Sequence, residues 1–214
     1  MVYIAFVCFA APLALMLPVL RGRARWLVAY LLIGSYLTVV SGEVNTALKQ
    51  VFEISSLELS LCVAPVVEEV VKALPVLAFA LLDKKCGRSD VLAIAFSCGV
   101  GFAITENAFL MMRAGEAATV GWALARGLST SLMHGLCTLA VGVGFTFART
   151  RKKLFYTGTF GLIAAAITYH ATFNLLISAA GAWSLVGLAC PLFTYAIAYG
   201  LYRVMRDRGV SMLA

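Results

Sequence analysis

Residues 90–112 read DVLAIAFSCGVGFAITENAFLMM, an apolar run with one charged side chain in its interior, Glu106. As a helix rising about 1.5 Å per residue, such a run reaches about 35 Å and crosses the roughly 30 Å hydrocarbon core of a bilayer. Apolar runs of this kind fill most of the 214-residue chain, at 2–20, 27–41, 57–82, 124–148, 154–180 and 184–204, separated by polar or Gly-containing breaks. The composition agrees. At 62% hydrophobic, 13% charged and mean hydropathy +0.95, the chain is far from soluble domains, which are about 45–50% apolar and about 25% charged. The sequence predicts an all-α fold: a polytopic membrane helix bundle of seven transmembrane helices forming a single integral membrane domain, 1–214.

The net charge of +7 is carried by short clusters between apolar runs, so it reads as a topology signal and not as a nucleic-acid surface. Arg21, Arg23, Arg25; Lys84, Lys85, Arg88; Arg149, Arg151, Lys152, Lys153; and Arg203, Arg206, Arg208 make thirteen on one side, against Lys49, Arg113 and Arg126 on the other. The positive-inside rule then sets the N-terminus outside and the C-terminus in the cytosol, the two sides that an odd number of spans connects. The first run has no preceding positive charge and no small-residue cleavage site, which argues against a cleaved signal peptide. Six cysteines are scattered without a CxxC pair or zinc-like spacing. The polar segment 43–56 is expected at or beyond the outer interface. The third spanning helix is expected to begin near Pro65, with both following glutamates in its first turn at the positive end of the macrodipole, and Pro75 is expected to kink it.

Within the spans the titratable residues of interest are Glu68, Glu69, Lys72, Glu106, His134 and His170, and the two histidines are the only ones in the chain. A central charged residue costs about 2.5–3.5 kcal/mol on insertion scales, so a group of them marks a functional region. Measured from the cytosolic ends of their runs, Glu68 is 14 residues from Leu82 and Glu106 is 16 from Asp90; His134 is 14 from Ala148 and His170 is 16 from Leu154. All four therefore lie roughly 21–24 Å from the cytosolic side, in one layer toward the outer half of the bilayer. Lys72 can approach Glu68 at i,i+4 or Glu69 at i,i+3, and His170 shares a face with Asn174. A lone membrane histidine serves helix packing as readily as chemistry; the shared layer favours chemistry. Asn107 points about 100° away from Glu106 and suits a helix–helix hydrogen bond equally well. Gly99, Gly101, Gly135, Gly158 and Gly161 permit close helix approach in the same spans.

Carboxylates beside imidazoles in a hydrated cavity suit hydrolysis: a glutamate takes a proton from water, and an imidazole with an amide stabilises the oxyanion at a scissile carbonyl. Two histidines and a glutamate also suffice for catalytic zinc, although the sequence has no HExxH and three helices would have to supply the ligands. A proton-coupled transporter would likewise gather Glu and His at one depth, but should show an internal repeat, and none is visible.

Glu68-Glu69-Val70-Val71-Lys72, Phe102-Ala103-Ile104-Thr105-Glu106, the isolated His134 and His170-Ala171-Thr172-Phe173-Asn174 resemble the EExxK, FxxxE, H and HxxxN motifs of PrsW-type intramembrane proteases. These are grouped with CAAX prenyl endopeptidases and bacteriocin-processing enzymes. The resemblance covers about residues 65–178, and four motifs in order on successive helices make it specific. It implies an intramembrane endopeptidase of bacterial cell membranes that makes the outer-side cut in a single-span, anti-sigma-factor-like protein. It implies catalytic roles for Glu68, Glu69, Glu106, His134, His170 and Asn174: Glu68 or Glu69 as general base, His134 positioning water, His170 and Asn174 stabilising the oxyanion. Members are described both as metalloproteases and as glutamate-dependent enzymes; the expectation here is no cofactor, with zinc as the alternative. Glu106 stands where CAAX endopeptidases carry histidine, which turns the reading away from prenylated substrates, and Lys72 stands where those enzymes have arginine. A related scaffolding subunit of the gamma-secretase complex shows that a similar fold can serve assembly, but a scaffold does not need both glutamates and both histidines.

Overall fold

The structure, a computed structural model, describes residues 2–83, 85–147, 151–179 and 181–207. Among these residues it is helical with no strand. The helices are α1 Val2–Met16, α2 Gly22–Val51, α3 Ser56–Glu58, α4 Ala64–Leu82, α5 Arg88–Ala114, α6 Val120–Phe145, α7 Lys152–Ser178 and α8 Ala182–Asp207. A π-helical turn, Leu59–Val63, joins α3 to α4. Among the described residues, five helices are long and apolar enough to cross a membrane: α2, α5 with its 3₁₀ extension to Ala117, α6, α7 and α8 to Val204. The protein is an integral membrane protein. α1 has only 15 residues, about 22 Å of helix, and α4 has 19 residues that include Glu68, Glu69 and Lys72.

Segment 43–51 is helical: α2 runs unbroken for 30 residues to Val51, with Ser41 and Asn45 buried on its inner face. Two local expectations change. The first apolar run stops being helical at Met16, shortly before Pro18, as expected where a proline disfavours helical geometry in the residue before it. α4 does open at Ala64 with Pro65 in its first turn, but Glu68 and Glu69 fall beyond that turn. The preceding π turn is continuous with α4, and the Ala64 N–H already bonds the Leu59 carbonyl, so the macrodipole argument for those carboxylates does not apply. Of the basic residues assigned to the cytosolic side, Lys84, Arg149 and Arg208 lie outside the described residues.

α5 is the central helix, packed between α2 and α6. The close approach needs glycine. A Cβ on Gly101 would sit 2.0 Å from the Leu31 carbonyl oxygen, and one on Gly99 would sit 2.4 Å from that of His134. At these contacts, polar side chains cross to backbone: Ser35 Oγ donates to Gly101 O at 2.9 Å, Thr38 Oγ1 to Phe102 O at 2.8 Å and Ser97 Oγ to Leu27 O at 2.6 Å. Such bonds draw helices together where lipid supplies no hydrophobic contrast. Gly158 and Gly161, by comparison, face open space and take no part in packing. Ile94, Ala95, Cys98, Val76, Met133, Cys137 and Val141 form a tight apolar core. Cys8, Cys62, Cys98, Cys137 and Cys190 are free thiols.

Candidate active site

One face of α4 carries Glu68, Glu69 and Lys72 into the bundle, and α5, α6 and α7 contribute partners. Lys72 is 0% exposed. Its Nζ donates to Glu69 Oε1 at 2.7 Å, meets Nδ1 of His134 on α6 at 2.8 Å, and lies 4.9 Å from the ring centroid of Phe102 on α5. A buried ammonium without such partners would carry a desolvation penalty of several kcal/mol. Because an ammonium has only protons to offer, Nδ1 of His134 is the acceptor. The ring proton is then on Nε2, which donates to Glu106 Oε2 at 2.8 Å.

Glu69 Oε1 is shared. It also accepts from Nδ1 of His170 on α7 at 2.9 Å, which leaves Nε2 of His170 with its lone pair free. That nitrogen is 3.8 Å from Glu68 Oε2. The contacts form a continuous chain, Glu106–His134–Lys72–Glu69–His170–Glu68, across α4, α5, α6 and α7. The two imidazoles stand edge to face with centroids 4.8 Å apart. Five of the sequence-selected residues, Glu68, Glu69, Glu106, His134 and His170, are thus within direct reach of one another or of Lys72.

Both ends of the chain reach a cavity, and its middle is buried. Glu68 and Glu106 line a cavity of about 840 Å³ with Ser60, Ala64, Arg126 and Asn174, and a second of about 330 Å³ that extends toward Thr38 and Asn45 of α2. Glu69, His134 and His170 are about 1% exposed or less and lie behind these two carboxylates. Glu68 Oε2 is buried and has no hydrogen-bond partner among the described residues. The Asn174 side chain lines the larger cavity and donates through Nδ2 to Ser60 O at 2.9 Å, tying α7 to the π turn. Asn107 is buried, its Oδ1 has no partner among the described residues, and it lines neither cavity.

Sequence spacing flagged Lys72 as a partner for a carboxylate but missed its contact with His134, because nothing in either helix alone encodes the facing of α4 and α6. Ser60 and Arg126 were missed as cavity residues for the same reason. Glu68, His134 and His170 each offer an atom within 4.8 Å of the others, close enough to hold a metal ion. In His134, however, both ring nitrogens are engaged, one by an ammonium.

Comparison with curated proteins and with solved structures gives no match. Comparison with protein-family models gives one over residues 22–208, described as PrsW family intramembrane metalloprotease. The match includes all four motifs and the helices that bring them together, and the chain belongs to the PrsW family of intramembrane proteases.

Proposed function

We propose that the protein hydrolyses a peptide bond of a single-span membrane protein by glutamate-activated water, with Glu68 as the general base. The observation that carries this reading is the approach of Glu68, which lines the cavity, to His170 behind it: Glu68 Oε2, without a hydrogen-bond partner among the described residues, is 3.8 Å from His170 Nε2. A water between them donates one hydrogen to each acceptor, which aims its lone pair at a carbonyl carbon in the cavity. Glu68 takes a proton as the oxygen–carbon bond forms and returns it to the amine nitrogen as the carbon–nitrogen bond breaks. Glu69 keeps His170 in the tautomer that accepts, because its carboxylate holds the Nδ1 proton. With Nε2 as an acceptor, His170 orients water and does not serve the oxyanion. The oxyanion falls to Asn174, which retains one N–H after its bond to Ser60. Glu106, anchored by His134, is the second carboxylate at the cavity and the acceptor for a substrate N–H.

The family description names a metal, and the donor set does not fit one. A catalytic zinc takes three protein ligands, each offering a lone pair. The Nδ1 lone pair of His134 already accepts from the Lys72 ammonium and its Nε2 carries the proton bonded to Glu106. Only Glu68 and His170 keep open donor atoms in this group.

α1 and α4 complete seven crossings in this proposal, in one domain spanning 1–214, with the N-terminus outside and the C-terminus in the cytosol of a bacterial cell. The cavity is at the end of the bundle with the fewest basic residues, so the cut falls on the outer side, as for an anti-sigma-factor-like substrate. The test is cleavage of a single-span protein by the purified, lipid-reconstituted enzyme with mapped products. Glu68→Gln and His170→Ala should fold and fail to cleave; full activity in both would overturn the assignment.

A further inference from the structure

The end of the bundle that opens to the larger cavity carries three basic residues, Lys49 near the end of α2, Arg113 near the end of α5 and Arg126 early in α6, and all three line that cavity. They come from separate helices and converge above Glu68 and Glu106. Neither arginine makes an ion pair among the described residues. Arg126 stacks over Trp122, 5.9 Å from the ring centroid, and its buried Nε has no hydrogen-bond partner among the described residues. Arg113 is exposed, and Lys49 donates only to the neutral Ser56 hydroxyl, at 2.6 Å. Glu53 also lines the cavity, yet no ion pair ties it to any of the three. A guanidinium presents a rigid fork of N–H donors that matches a carboxylate, and at a partly desolvated rim that match discriminates between charged and neutral partners.

We infer that Lys49, Arg113 and Arg126 form a recognition rim for acidic side chains in the substrate segment just outside the membrane, beside the bond that is cut. The inference rests on the protease reading and adds a substrate class to it. A peptide is favoured over a lipid headgroup because the rim and the carboxylates line one cavity. A lipid held there would sit over Glu68, whereas a substrate strand must pass the rim to reach it.

The test measures binding separately from cleavage. Three single-span peptides, identical except for Asp, Asn or Lys at three positions outside the membrane, are titrated against full-length Glu68→Gln protein in zwitterionic-lipid nanodiscs. The Asp peptide should bind about tenfold tighter than the Asn peptide, and the advantage should shrink with salt. Arg113→Gln should reduce the Asp/Asn ratio, and Arg113→Gln with Arg126→Gln should bring it near unity; the exposed Arg113 keeps the first variant clear of folding effects. Equal binding of Asp and Asn peptides overturns the inference, as does a ratio unmoved in both variants. Stabilisation by anionic lipid that depends on the two arginines, without discrimination among the peptides, assigns the rim to headgroups and overturns it too. An Asp preference in binding, with no cleavage of any peptide by wild type, would leave the rim standing and remove the protease reading.

Discussion

Lys72 Nζ is 2.8 Å from His134 Nδ1, a contact between α4 and α6 that joins the carboxylate pair of one helix to the imidazole of the other. It decides the protonation pattern of His134. With an ammonium on one side, the imidazole can only accept there and donate to Glu106 opposite, as the Glu69 carboxylate in turn holds the Nδ1 proton of His170.

Removing that cation should therefore cost stability as well as activity. Lys72→Met strands Glu69 in the bundle without its counter-charge, and breaking one partner of a buried pair costs about 3–5 kcal/mol. Thermal unfolding in detergent should show a marked loss, and cleavage should disappear. A variant as stable and active as wild type would refute the hub role.

Glu68→Gln and Glu69→Gln should separate cleanly although the residues are adjacent. Glu68 lines the cavity and its Oε2 has no hydrogen-bond partner among the described residues to lose, so its variant should keep the wild-type melting temperature and lose about 10²–10⁴-fold in kcat. Glu69 bonds both Lys72 and His170, so Glu69→Gln should lower the melting temperature and activity together. The reverse pattern would exchange their roles.

Chelation gives an independent check on the metal. Because His134 has no free lone pair in this arrangement, activity should survive o-phenanthroline, and elemental analysis of active protein should find no stoichiometric zinc. Loss of activity on chelation, restored by zinc, would contradict the assignment of the His134 tautomer.

The α2–α5 contact predicts a steric effect far from the chemistry. Gly101→Ala puts a methyl group 2.0 Å from a backbone oxygen that cannot swing away, and overpacking of this kind costs about 1–3 kcal/mol. Gly158→Ala, which meets nothing within 4 Å, should unfold at the wild-type temperature. Equal behaviour of the two would mean that α2 and α5 are not so closely packed.

Membership of the bilayer was decided by the sequence alone: runs such as 90–112 satisfy their backbone polar groups only as helices once they are in hydrocarbon, whatever they pack against. So was the common depth of Glu68, Glu106, His134 and His170, because helical rise converts residue number directly into height. Which way those side chains turn is a different kind of information. Glu68 and Glu69 are neighbours in sequence, about 100° apart around α4, and only the rotation of α4 against α6 and α7 sends one into the cavity and the other onto Lys72 and His170. The pairing of Lys72 with His134, the convergence of Lys49, Arg113 and Arg126, and the anchoring of Asn174 to the π turn all depend on contacts between helices distant in sequence. Height is a property of each helix by itself; facing is settled only when all the helices pack.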